Sequence, residues 1–218
     1  MDTQQKFIIT ISRELGSGGR TIGRKLAERL GVRFCDKALI HSLMEKFNLT
    51  TFEIENIKAK KKNWLSDFIE RVAPVPTTGA LFGTSAAFSE TDIPHYTTSD
   101  EIFAAESEIL RELAEEGSCV IAGRSGFFVL KDHPNRTDIF IHASLEHRVE
   151  RVMRKQHLSE TEARTVISSV EEGRDNYIQR YAGVSRYDAR NYDLSLNVDN
   201  LSEDEAVELI LKYIQHNA

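Results

Sequence analysis

The sequence predicts an α/β protein, a parallel five-stranded sheet covered by helices on both faces in three layers. Three observations carry this. Short apolar runs alternate along the 218 residues with segments whose apolar residues recur at helical spacing. The connections between successive runs reach a dozen residues or more, which is what a crossover between parallel strands requires. The chain shows no internal repeat and no second core.

The elements follow in order. Residues 6–12, with Phe7, Ile8, Ile9 and Ile11, form the first strand. Ile22, Leu26 and Leu30 then recur at i, i+4 and i+8, and Gly31 ends that helix. Residues 32–35 are a short second strand, after which Asp36 caps a helix to about Phe47. Residues 51–72 read as a helix with Trp64, Leu65, Phe68 and Val72 on one face and Lys58, Lys60, Lys61 and Lys62 on its solvated side. Residues 74–99 hold Pro74, Pro76 and Pro94 among small polar residues and read as a long loop, docked through Leu81, Phe82 and Phe88. Thr98 and Glu101 make a capping box for a helix reaching Glu116, which Gly117 stops. Residues 119–122 are the third strand and lead into Gly123-Arg124-Ser125-Gly126. Residues 138–142 are the fourth, followed by a helix capped by Ser144. Ser159 and Glu162 open a long helix to about Tyr181, residues 194–198 are the fifth strand, and Ser202 with Glu205 caps a last helix carrying Leu209, Ile210 and Tyr213.

Composition bounds the function. With 40% hydrophobic and 28% charged residues the chain buries an ordinary core. A net charge of −6 argues against a nucleic-acid coat protein. Cys35 and Cys119 each end a short apolar run and read as buried free thiols, outside any disulfide framework or zinc motif. No apolar leader and no run of about 18 apolar residues occurs, so the expectation is a cytoplasmic protein without a membrane partner. The seven histidines show no metal-ligand spacing.

Ligands of parallel sheets bind at the carboxyl ends of the strands, and there the polar motifs converge. After strand one comes Arg13-Glu14-Leu15-Gly16-Ser17-Gly18-Gly19-Arg20-Thr21, a glycine loop running into a helix. Its backbone N–H groups and the helix N-terminus suit phosphate. Gly16, Gly18 and Gly19 permit close approach, Ser17 or Thr21 offers a hydroxyl, and Arg20 supplies charge. Asp36 follows strand two, as a cap, as a partner of magnesium-bound water, or as a ligand of a substrate hydroxyl. Arg124 follows strand three. Arg148, Arg151 and Arg154 lie on the helix after strand four, and Arg174, Arg180, Arg186 and Arg190 on the next helix and the loop beyond. Two helices facing each other with arginines make a lid over polyphosphate, with Arg151 and Arg154 the first candidates and Arg174 next.

With these residues placed, the chain resembles bacterial cytidylate kinases, and more closely the divergent cytidylate-kinase-like group. The opening from Ile9 to Gly31, Asp36-Lys37-Ala38, Gly123-Arg124, the Ile139-Phe140-Ile141 strand with its arginine helix, and the end from Asn191 onward carry the likeness. The resemblance implies a P-loop NTPase fold of the nucleoside monophosphate kinase type, in one domain over 1–218. Its core would lie at 6–36, 100–145 and 190–218, a helical monophosphate-binding insertion at about 37–98, and an arginine lid at about 150–190. It implies ATP with Mg²⁺, and phosphoryl transfer to a nucleoside monophosphate, CMP or dCMP. Gly16, Ser17, Gly18, Gly19, Arg20 and Thr21 would hold ATP, with Mg²⁺ reached through waters on Thr21 and Asp36 rather than by direct ligation. Arg20, Asp36, Arg124, Arg151 and Arg154 would serve transfer, and Asp36, Arg124, Arg174 and Asp175 the acceptor. The chain departs from the family pattern in the glycine loop and at the end of strand three. Gly19 stands at the phosphate-binding lysine, with Arg13 at the first loop glycine and Arg20 as the substitute cation. Ala122 stands at the acid that reads cytosine, and Ser125 at the Asp of Gly-Arg-Asp. The alternatives are a catalytically weak nucleotide-binding sensor and a kinase of another small metabolite.

Overall fold

A computed structural model describes residues 1–36, 99–123 and 125–216. The helix expected after Asp36, the helix at 51–72, the proline-rich loop, the Thr98 cap and Arg124 fall outside those residues. The chain divides into two compact units, residues 1–37 with 117–218, and residues 38–116. The described part of the second unit is a single helix, Ser99–Glu116, which buries Ala105, Ile109, Leu110 and Leu113.

The first unit begins with β1 (Ile8–Arg13) and α1 (Gly19–Leu30), then β2 (Arg33–Cys35). With the Ser99–Glu116 helix as α2, there follow β3 (Cys119–Ala122), α3 (Gly126–Val129), β4 (Arg136–His142), α4 (Leu145–Gln156), α5 (Glu160–Ala182), β5 (Leu194–Asn197) and α6 (Glu203–His216). All four strand pairings are parallel, and the order is β2-β3-β1-β4-β5. The central strand is therefore β1. The chain leaves it to one side for β2 and β3 and to the other for β4 and β5, so the crevice of a doubly wound sheet opens at its carboxyl end.

Side-chain alternation along the strands sorts the two faces. Ile9 and Ile11 of β1, Val120 of β3 and Ile139 and Ile141 of β4 pack with Ile22, Leu26 and Ala27 of α1 and Val207, Ile210 and Ile214 of α6. Burying each such side chain contributes about 1.5–3 kcal/mol. The helix stops are the ones the sequence signals: Gly31 is left-handed at the end of α1, and Ser144 and Ser159 accept the N–H of His147 and Glu162 at the starts of α4 and α5. Several bounds differ from the pattern reading. β1 starts two residues later and runs one further, over Ile8–Arg13. β2 starts and β5 ends one residue short of the expected 32–35 and 194–198. β4 starts earlier, at Arg136, and the four-residue α3 is too short to show a period.

On the opposite face Thr10 sits beside Asp138 in the β1–β4 register and donates its hydroxyl to the carboxylate. Arg136 Nε lies 2.7 Å from the other oxygen. Burial raises the Asp138 pKa to about 6, the Asp193 charge adds to the rise, and Thr10 and Arg136 oppose it. An acid whose native pKa is raised binds its proton more tightly when folded. Its contribution to stability is full below the unfolded-state value of about 4 and is lost as pH rises through about 6. We expect Asp138→Asn to flatten the fall in unfolding free energy between about pH 4 and pH 7 by about 1–3 kcal/mol, read by urea titration at each pH. Superimposable profiles of the two proteins would contradict this assignment.

Candidate active site

The loop between β1 and α1 is shaped by contacts too close for side chains. Gly16 has φ +89°, and a Cβ there would lie 2.6 Å from the carbonyl oxygen of Arg148, a backbone atom that cannot swing away. A Cβ on Gly18 would meet the Arg151 guanidinium carbon at 3.2 Å, so that cation lies directly over the loop. Ser17 is buried, donates its hydroxyl to Glu14 O at 2.9 Å and its N–H to the same oxygen at 3.3 Å. The N–H groups of Thr21 and Ile22 close onto Gly18 O. Among the described residues this leaves the N–H groups of Gly16, Gly18, Gly19 and Arg20 without an acceptor, at a helix start that carries no side-chain cap.

Two carboxylates fix this loop to the rest of the unit. Glu14 donates its N–H to Ile141 O at 3.0 Å, and its carboxylate accepts Ala143 N–H at 3.1 Å and lies 3.4 Å from Arg148 Nε. Glu171, at mid-length of α5, accepts Leu15 N–H at 2.7 Å and Arg174 Nη1 at 2.9 Å, and also pairs with Arg186 and Tyr187. Arg174 and Arg186 both donate onward to Arg13 O, at 3.2 and 2.7 Å. Leu15 itself packs against Val149, Val152, Ala163 and Ile167, the apolar seam between α4 and α5. The arginine hairpin and the loop thus share one carboxylate and one apolar contact.

The sequence-derived site residues are distributed as follows. Arg20 and Asp36 come together: both Nε and Nη2 of Arg20 reach Asp36 Oδ2 at 2.6 Å, with the arginine side chain half exposed and the aspartate buried. That pairing satisfies Arg20 at the rim. Arg151 lies over Gly18 and pairs with Glu203. Among the described residues Arg174 reaches the loop through Glu171 and Arg13 O. Arg154 is on the exposed side of α4. Asp175 holds a buried Oδ1 that meets no donor among the described residues, and Thr21 is half-buried. Pattern reading missed Glu14 and Glu171, and it ranked Arg148 below Arg151 although Arg148 carries a buried Nη1 that meets no acceptor among the described residues. A buried, unsatisfied guanidinium nitrogen beside a glycine loop fits an anionic ligand. Among the described residues no three His, Cys, Asp or Glu side chains cluster to hold a metal, and no helix is long and apolar enough to cross a membrane.

Comparison with known proteins extends this reading. Residues 8–200 match the model of the cytidylate kinase-like family. A cytidylate kinase of Sulfurisphaera tokodaii is 26% identical over 209 residues, covering 95% of each chain. Among solved structures, an uncharacterized protein of Eubacterium ventriosum superposes with a TM-score of 0.69 at 23% identity, over 96% of this chain and 99% of the other. A shikimate kinase of Bacteroides thetaiotaomicron superposes at 0.51 and 13% identity, over 97% and 99%. The fold is that of a three-layer α/β/α P-loop NTPase.

Glu171 ties the loop to α5. Burial pushes its pKa up, but the charges of Arg186 and Arg174 and the Leu15 N–H outweigh this and hold it below the ordinary glutamate value. Its contribution is therefore present above that ordinary value and lost as pH falls through the native one. Glu171→Ala leaves two arginines without their carboxylate, and we expect a loss of about 3 kcal/mol at neutral pH, measured by urea unfolding. A change below about 0.5 kcal/mol would show that the hairpin is held by other contacts.

Proposed function

The chain belongs to the cytidylate kinase-like family and is a nucleotide or small-molecule kinase, and from that premise we propose that it transfers the γ-phosphoryl group of ATP to a nucleoside monophosphate, CMP or dCMP. One observation carries the reading. Four loop N–H groups at the start of α1 are left without protein acceptors among the described residues, and the Arg151 guanidinium lies against Gly18 within that stretch. Amide donors and a fixed cation converging on one volume are what a phosphate chain requires.

In this reading residues 16–21 seat the polyphosphate, and Gly16 and Gly18 are glycines because the loop backbone must run against Arg148 and under Arg151. Arg151 neutralises charge above the loop. Arg20 holds Asp36 at the end of β2, and that carboxylate and the Thr21 hydroxyl would meet the waters of a bound Mg²⁺. The metal would draw charge from the phosphates during transfer. Arg124, Arg174 and Asp175 serve the acceptor, Arg154 joins as the hairpin closes, and residues 37–98 and 150–190 act as monophosphate-binding insertion and lid. No covalent nucleophile is needed, because positioning and charge neutralisation supply the catalysis. The partners are a nucleotide and a small phosphate acceptor, in the cytoplasm, with no nucleic acid or membrane. The glycine at position 19 supports a second reading, a catalytically weak nucleotide-binding module.

A coupled assay with ATP and Mg²⁺ across CMP, dCMP, UMP, AMP and non-nucleotide acceptors separates the two. We expect turnover with CMP or dCMP above the others, and a loss of about 100-fold in kcat/KM in Arg151→Ala. Tight ATP binding with no turnover on any acceptor would sink the kinase reading and leave the binding module.

A further inference from the structure

Residue 19 stands where the family resemblance places a lysine, and residue 13 where it places the first loop glycine. The structure shows that these two positions compete for one volume. A Cβ built on Gly19 would lie 2.6 Å from Arg13 Cβ and 3.0 Å from Arg13 Cγ. The nearer of the two, Cβ, is set by the backbone of β1 and cannot move aside as the tip of a side chain can. An arginine at 13 and any side chain at 19 exclude each other.

From that stem Arg13 runs across to the end of β3. Its Nη1, Cζ and Nη2 lie 2.0, 2.9 and 3.1 Å from where a Cβ on Gly123 would stand, and Gly123 has φ +86°. Two glycines distant in sequence therefore make room for the same side chain, one for its stem and one for its guanidinium. The Arg13 backbone is held as well, its carbonyl accepting from Arg174 and Arg186. Two residues past Gly123, Ser125 sits in a left-handed conformation at φ 57° with a buried hydroxyl that has no partner among the described residues. A strained residue with an unsatisfied hydroxyl at the same strand end is a feature of ligand sites rather than of packing.

We propose that Arg13 is the phosphate-binding cation of this chain, replacing a lysine at position 19 by an arginine that enters the same space from the end of β1. The inference rests on the phosphate-binding reading of the loop. Its guanidinium holds the phosphoryl group between the residue 16–20 donors and the carboxyl end of β3. The planar fork takes two phosphate oxygens at once and stays charged at any physiological pH, which a lysine ammonium does not match in geometry. Arg20, one position after the vacated lysine, is then free to serve as the anchor of Asp36.

The test is a swap. ATP with Mg²⁺, ADP and adenosine are titrated calorimetrically into the full chain and into Arg13→Ala, Arg13→Gly, Arg13→Lys, Gly19→Lys and the double variant Arg13→Gly/Gly19→Lys, each checked by thermal melting. We expect wild type to prefer ATP to adenosine, and Arg13→Ala to lose about 10- to 100-fold of that preference with adenosine affinity unchanged. Arg13→Lys should be intermediate, and Gly19→Lys alone should lower the melting temperature through the clash. The double variant should recover ATP preference to within several-fold of wild type. Preference retained in Arg13→Ala, or a double variant no better than Arg13→Gly, overturns the assignment of Arg13 alone. A wild-type protein that does not distinguish ATP from adenosine overturns the phosphate-binding reading with it.

Discussion

The site depends on the bond between the Glu171 carboxylate and the backbone of the loop that leaves β1. One buried side chain accepts Leu15 N–H, and the two arginines it neutralises reach the carbonyl of Arg13. A glycine-rich segment is otherwise the least constrained part of a chain, because its unfolded ensemble is the broadest. Here residue 15 is held by a carboxylate at its N–H and by an apolar seam at its side chain, and residue 14 by the ends of β4 and α4. The free donors that remain, at residues 16 and 18–20, are thereby presented in a fixed arrangement. Preorganised donors are the form of electrostatic stabilisation that needs no rearrangement when charge arrives.

Charge is balanced group by group around this loop. Arg20 pairs with Asp36, Arg148 with Glu14, Arg151 with Glu203, and Arg174 and Arg186 with Glu171. The five arginines of these pairs would otherwise repel one another, and the carboxylates relieve that cost. The arginines also differ in their contacts: Arg174 and Arg186 bond the backbone of residue 13, whereas Arg151 lies over Gly18 and pairs with Glu203 at the start of α6.

Much of this was legible in the sequence, for physical reasons that differ by element. Parallel strands buried on both faces read as apolar runs, and the Ser159–Glu162 and Ser202–Glu205 capping boxes are local chemistry, so the order of elements and most helix starts followed from pattern. The loop was found because three glycines between a strand and a helix are a local signature. What pattern could not reach is set by partners far apart along the chain. Glu171 lies 156 residues from Leu15, and nothing in its surroundings but Arg174 three positions on marks it as more than a helical surface residue. Arg151 and Arg154 are separated by only about 60° around the helix, too little for spacing to tell the one over Gly18 from the one on the exposed side. Arg13 was read as a loop residue, although it is the last residue of β1, with its side chain aimed by the strand's pleat across Gly19.

The central claim is that loop backbone N–H groups, not side chains alone, seat a phosphate chain at the start of α1. Amide hydrogen exchange with and without saturating ATP and Mg²⁺ tests it most directly, because it reports the donors themselves. Exchange should slow at residues 16 and 18–20, with Leu15, already bonded to Glu171, little changed. Unchanged exchange at residues 16 and 18–20, under conditions where ATP is shown to be bound, would contradict it.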